Sequence, residues 1–214
     1  QAIALEAGLA EAHASRGLAL SLVQRCDEAM AEFEKAIALD PQSFEAHYFY
    51  ARACFAQDNS DRAAALFERA SAIKPDDYQS LILLIMIYRS LGRERDIDRV
   101  ARMGVERAQH ELTLHPENPR PAYLGASALL ELGELDRSRE WASRAMAIDP
   151  DDILTLYNVA GVHCRLGDHD AAFDLLDRLL PRANHETKSW IKLDSDFDGL
   201  RSHPRYQRVL ELIG

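Results

Sequence analysis

The residues able to do chemistry are present but poorly arranged for it. His163 and Cys164 are adjacent, and neighbours on a helix point about 100° apart, so they cannot serve each other as base and nucleophile. Asp194, Asp196 and Asp198 alternate like the first ligands of a calcium loop, yet Arg205 stands at the twelfth loop position, where such a loop needs glutamate. Helix capping and pairing with Arg201 or Arg205 are the expected roles of those aspartates. His13 and His47 fall at the same position of two successive repeats, but no third side chain at suitable spacing would complete a metal site. Cys26, Cys54 and Cys164 lie far apart, without a CxxC pair, which suggests neither a zinc site nor a disulfide framework and fits a reducing, cytoplasmic compartment. No GxGxxG, GxxxxGK[ST], HExxH or GxSxG string occurs. No catalytic residue, cofactor or metal is therefore expected.

The chain is instead organised by a pattern. Gly17, Ala29, Phe33, Ala36 and Pro41 return 34 residues later as Ala51, Ala63, Phe67, Ala70 and Pro75. Small residues at the eighth position (Gly17, Ala51, Ala126, Ala160) and the twentieth (Ala29, Ala63, Ser138, Ala172) would let two helices approach closely. Pro41, Pro75, Pro116 and Pro150 should each stop a second helix, because proline has no N–H and disfavours the helical conformation of the residue before it. Ser43, Asp77, Asn118 and Asp152 follow as N-cap candidates, and Gly92, Gly133 and Gly167 suit a left-handed residue at a helix C-terminus.

This predicts a half repeat at 1–9, full units at 10–43, 44–77, 78–118, 119–152 and 153–186, and a capping tail at 187–214. The third unit carries seven extra residues, about two helical turns, in its second helix. With Ile85 and Ile97 at its small-residue positions, that unit's helices are expected to pack farther apart. The fifth unit should end its second helix by Leu180, with Asn184 in the proline position. In the tail, Trp190, Phe197, Leu200, Tyr206, Val209, Leu210 and Ile213 are the expected cap, since a helical array needs its last apolar face covered. Trp141 reads as core.

Composition narrows the partners. With 35 acidic against 25 basic side chains the formal charge is -10, and no Lys/Arg-rich run occurs, so nucleic acid and anionic membranes are not expected. The most apolar run, Leu81 to Tyr88, is eight residues, against roughly twenty needed to span a bilayer. The chain opens on Gln1 inside an apparent helix end, as a fragment of something longer would.

The 34-residue period, with its small, aromatic and proline positions, resembles the tetratricopeptide repeat, a helix–turn–helix unit. The resemblance implies an all-α, right-handed superhelix of antiparallel helix pairs, an α-solenoid that binds protein. A second likeness involves Arg139–Trp141, Ala147–Asp152, Tyr157–Ala160 and Leu166–Asp168, then Trp190, Asp194–Arg201 and Pro204–Tyr206. These strings resemble the C-terminal end of bacterial multidomain proteins, among them class III adenylate/guanylate cyclases, transcriptional regulators and protein kinases. That likeness implies a non-catalytic regulatory region of a larger signalling protein.

The family's ligand groove is lined by the first helix of each repeat. Carried over, it places Tyr48, Phe49, Arg52 and Phe55 in the groove, then Ile82, Met86 and Arg89, then Tyr123, and finally Tyr157, Asn158 and Arg165. Members that grip a peptide's terminal carboxylate use Lys, Asn and Arg at set positions. Ala14, Leu18, Phe49, Gln79 and Leu83 stand there instead, so that clamp is not expected. The implied ligand is an apolar peptide or helix. The partner could be another protein, the chain's own catalytic domain or a second protomer, in which case the array would be a dimerisation module.

Overall fold

The four prolines set the phrasing of the chain. In the computed structural model, which describes residues 2–183, 187–188, 191–192 and 194–213 and side chains from residue 8 onward, every regular element described is helical. The helices are α1 (Ala2–Leu22), α2 (Cys26–Leu39), α3 (Phe44–Ala56), α4 (Ser60–Ile73), α5 (Gln79–Ser90) and α6 (Glu94–Leu114). They continue as α7 (Arg120–Glu131), α8 (Leu135–Ile148), α9 (Ile153–Arg165) and α10 (His169–Leu179), then a 3-10 turn at Ser195–Leu200 and α11 (Tyr206–Ile213).

Helices α2, α4, α6 and α8 each end two residues before a proline. The chain then restarts on a side-chain cap. The Ala46 N–H donates to Ser43 Oγ at 3.2 Å, Ser80 N–H to Asp77 at 3.1 Å, Arg120 N–H to Asn118 at 3.0 Å and Thr155 N–H to Asp152 at 2.7 Å. Between the two helices of each unit one residue turns left-handed: Gln24 (φ 61°), Asp58 (58°), Gly92 (66°), Gly133 (70°) and Gly167 (81°). Only the last three are glycine, the residue that adopts this region without a Cβ clash. Asp58→Gly is therefore expected to stabilise the fold by about 0.5–1 kcal/mol and Gly133→Ala to weaken it by about 1 kcal/mol, both read from urea unfolding.

The chain forms two compact units, Gln1–Arg107 and Ala108–Gly214, whose boundary falls inside α6. In the first, α1 runs unbroken from Ala2 to Leu22, across the expected end of the half repeat at residue 9. Ala7 stands where a proline would have interrupted it, and nothing local stops the helix. α6 has 21 residues where α2, α4 and α8 have 14, so the insertion is taken up as further helical turns. Close approach survives in that pair at a different place from the expected one. A Cβ on Gly104 of α6 would lie 2.8 Å from Ile82 Cγ1, so Gly104, seven residues beyond Ile97, provides the close contact.

Successive pairs are tied by recurring polar contacts. The Tyr50 hydroxyl donates to Glu34 at 2.9 Å while Arg62 lies 4.9 Å above its ring and bonds the same carboxylate. Tyr88, Glu68 and Arg93 repeat the arrangement, at 2.6 Å and 4.2 Å. Burial first, then the carboxylate, pushes both phenols up to about 12. Arginines also close helix C-termini: Arg69 donates to the Pro41 carbonyl, Arg144 to Leu112 and Arg178 to Pro150.

In the second unit, Phe197, Leu200, Tyr206 and Val209 are buried as the cap requires, with Ile191 beside them in burial. Leu210 is exposed, and Ile213 is half-buried. Trp190 and Asn184 lie outside the described residues. Arg205 fastens the tail to α10. Its guanidinium is 3.2, 2.9 and 3.1 Å from Asp170, Asp174 and Asp177, and 4.9 Å above the Phe173 ring.

Candidate functional site

Each first helix presents a stripe of side chains at i, i+3 and i+4, and burial divides the stripe into packing and surface. On α3, Tyr48 is only 6% exposed. Its ring stacks on Phe44 at 5.4 Å and meets Phe67 edge-on at 5.6 Å, and its hydroxyl donates to Gln79 of α5 at 3.3 Å. Tyr48 is therefore structural cement between the repeats at 44–77 and 78–118, these contacts all lying within the first compact unit. Phe49 and Phe55 are half-buried and Arg52 is exposed, with its guanidinium 6.0 Å from the Tyr48 ring. On α5, Ile82 is buried against Gly104, Met86 is half-buried and Arg89 is exposed. Of the candidates on α3 and α5, Phe49, Arg52, Phe55, Met86 and Arg89 are thus the ones left at least partly exposed.

The second unit differs. Tyr123 is buried in α7, and Asn158 spends its amide on the Leu154 carbonyl of its own helix at 2.8 Å. Tyr157 and Arg165 are engaged by the chain's own tail. The Tyr157 hydroxyl donates to Asp194, and its ring meets Phe197 edge-on at 5.4 Å. Arg165 pairs with Glu131 of α7 at 2.5 Å and with Asp196 at 3.7 Å. Gly161, between them on α9, faces the same segment: an added Cβ would make ordinary contacts with Asp196 at 3.4 Å and Phe197 at 3.9 Å. Burial, then the Asp194 charge, drives the Tyr157 phenol far above its ordinary range. Asp194, Asp196 and Gly161 were not recognisable as partners of Tyr157 and Arg165, because contacts 37 residues apart follow no helical period.

The remaining reactive residues have ordinary partners. Asp194 caps the 3-10 turn by accepting from the Asp196 N–H at 2.9 Å, and Asp198 pairs with Arg201 at 2.7 Å. Cys164 is buried beneath Gly199, and burial pushes its thiol up. His163 turns instead toward Asp168 at 3.6 Å. His47 sits 2.8 Å from the Ser43 carbonyl of its own helix turn. Among the described residues no group of three His, Cys, Asp or Glu side chains is placed to hold a metal ion.

His13 belongs to an ion cluster around Glu32, whose carboxylate is nearly buried between α1 and α2. Lys35 at 2.8 Å and His13 at 2.6 Å hold its pKa down at about 2. A depressed carboxylate adds stability above its unfolded value and loses it as pH falls toward the folded value. Glu32 should therefore contribute fully above about pH 4.5 and progressively less toward pH 2. Glu32→Gln is expected to cost about 1 kcal/mol at pH 7 and to flatten this acid limb in thermal unfolding.

Consecutive pairs of antiparallel helices, joined by a short left-handed turn and restarted by a side-chain cap, define a helical-repeat fold. Residues 23–85 match the tetratricopeptide repeat family. The fold is similar to that of a thermophilic tetratricopeptide-repeat protein from Thermus thermophilus, with a TM-score of 0.64 and 21% identity over 94% of this chain and 99% of that one. It is also similar to pilF of Pseudomonas aeruginosa (TM-score 0.60, 16% identity, 96% and 97% covered). A third likeness is to a MamA fragment from Desulfovibrio magneticus (TM-score 0.53, 15% identity, 82% and 94% covered). At such identities the likeness is one of fold, and with the family match it supports a tetratricopeptide-repeat architecture. No curated protein matches the chain in sequence. Among the described residues no helix is long and apolar enough to cross a membrane.

Proposed function

We propose that the chain is a non-catalytic protein-binding scaffold that holds an apolar peptide or helix on the face of α3 and α5. The observation behind this reading is the split within α3. Tyr48 is locked into the core, whereas Phe49, Arg52 and Phe55, at i, i+3 and i+6, remain reachable along one side. Aromatic and arginine side chains are the types that dominate binding energy at protein interfaces.

Selection of a displayed peptide library on the full chain tests the reading. Phe55→Ala should abolish capture of the selected peptides with helicity unchanged, and Met86→Glu should do the same. Tyr48→Ala should instead lower stability by about 2 kcal/mol, because it removes a buried ring. A library that yields no peptide dependent on Phe55 or Met86 would remove the face from consideration.

On the likeness of the tail we further propose that the scaffold is the regulatory C-terminal region of a larger bacterial signalling protein in the cytoplasm. Cyclic-nucleotide synthesis by the intact gene product, with and without these 214 residues, is the corresponding assay.

A further inference from the structure

Where α4 meets α5 and α6, three positions carry smaller side chains than their counterparts one repeat earlier. Shifted by the 34-residue period, Ile37, Tyr50 and Leu66 become Ser71, Leu84 and Val100. The phenol that repeats the Tyr50 contacts is Tyr88, one turn further along α5. A cavity of about 280 Å³ is left between α4 and α6, above α5, all of it within the first compact unit. Close-packed interiors leave few voids larger than a water molecule, so a space of this size is able to hold a ligand.

Its walls are divided by chemistry. Leu81, Leu84 and Val100 form the floor, each no more than 2% exposed. Glu68, Arg93 and Arg99 stand exposed at the mouth. Two of these charges are already satisfied: Glu68 accepts from the Tyr88 hydroxyl at 2.6 Å and from Arg93 at 3.1 Å, and Arg93 also holds Asp96 at 2.9 Å. Arg99 differs. Its ion pair is with that same Asp96, at 3.6 Å, beyond hydrogen-bond distance. A guanidinium carries five N–H donors in a fork that matches a carboxylate, so Arg99 has donors to spare above an apolar floor.

We propose that this cavity binds a small organic anion, a carboxylate on a short unbranched apolar chain. The carboxylate would pair with Arg99, and the chain would lie against the floor and the half-buried Met103. Sites for drug-sized ligands run from roughly 300 to 1,000 Å³, so a space just below that range suits a molecule of about eight heavy atoms, the size of hexanoate. Leu81, Leu84 and Tyr88 follow one stripe of α5, and Ile82, Met86 and Arg89 follow another. The cavity is therefore a different site from the α3 and α5 face.

Calorimetric titration of the full chain with hexanoate tests the proposal. Saturable binding at one site is expected, with hexan-1-ol and hexylammonium at least tenfold weaker. Arg99→Gln, at an exposed position, should weaken hexanoate at least tenfold with helicity unchanged. Ser71→Ile, which restores the residue type of Ile37, should fill the space and abolish binding without lowering thermal stability. Met103→Phe provides a second filling variant if Ser71→Ile disturbs the fold, which circular dichroism reports. Absence of saturable binding overturns the proposal, and so does equal affinity for hexanol and hexanoate or binding that ignores Arg99. Binding lost in Phe55→Ala but kept in Ser71→Ile also overturns it, since the probe would then sit on the α3 and α5 face.

Discussion

Gly125→Ala is expected to destabilise the protein by about 3 kcal/mol, the cost of forcing a methyl group into a filled space, net of about 1 kcal/mol gained in helix propensity. A Cβ at Gly125 would lie 2.1 Å from Trp141 Cζ3 and 2.4 Å from Cε3. The indole is a rigid, buried plate that cannot bend away like a long aliphatic chain. Either the ring leaves its rotamer or α7 and α8 separate, and separation would stretch the Ser138 bond to the Ala126 carbonyl, now 2.8 Å. In thermal unfolding the loss corresponds to about 6–12 °C for a chain of this size. Trp141→Leu in the Gly125→Ala background should recover part of it, whereas Trp141→Leu alone should destabilise. A non-additive double-mutant cycle is the signature of this contact. Additive effects would show that the two residues do not meet.

Phe197→Ala should cost a similar amount, about 3–4 kcal/mol, but locally. Phe197 is 1% exposed and packs on Tyr157, so its loss leaves the end of the last helix pair uncovered and the 3-10 turn without its anchor. Cys164 provides the readout. It is 4% exposed and lies under Gly199, so a thiol reagent can reach it only when the turn lifts. Its labelling rate in Phe197→Ala should rise at least tenfold, while Cys54, buried in the other unit, should label no faster than before. Equal acceleration at both cysteines would mean that Phe197 supports the whole chain, not the tail alone.

These two sites mark where sequence reasoning stops. Ala126, in register with Gly17 and Ala51, was expected to admit Trp141's helix, and it does lie against it, its carbonyl 2.8 Å from Ser138 Oγ. Gly125, one residue earlier, is a second close approach that the register did not mark, because it faces the Trp141 ring. A repeat pattern specifies which turn of a helix must be small. Whether the neighbouring residue must also be small depends on the size of the side chain that comes to rest against it, and only the packed neighbours set that. The same limit separates Tyr48 from Phe49. Both fit the groove positions of the repeat, but Tyr48 is covered because Phe44, Phe67 and Gln79 converge on it from three elements.

What the sequence determined by itself was local. Prolines ended helices, side-chain caps began them, left-handed positions turned the chain between them, and the 34-residue period paired each helix with the next, because all of these forces act within one or two turns of backbone. The uninterrupted α1 follows the same logic, since without proline there was nothing to stop it. The tertiary structure alone decided the fate of the candidate surface. It buried Tyr48, Ile82 and Tyr123, left Phe49, Arg52, Phe55, Met86 and Arg89 at least partly exposed, and laid Asp194, Asp196 and Phe197 over Tyr157 and Arg165. Contacts between residues 31 to 40 apart carry no periodic signal, and whether a side chain is core or surface depends on what comes to rest against it.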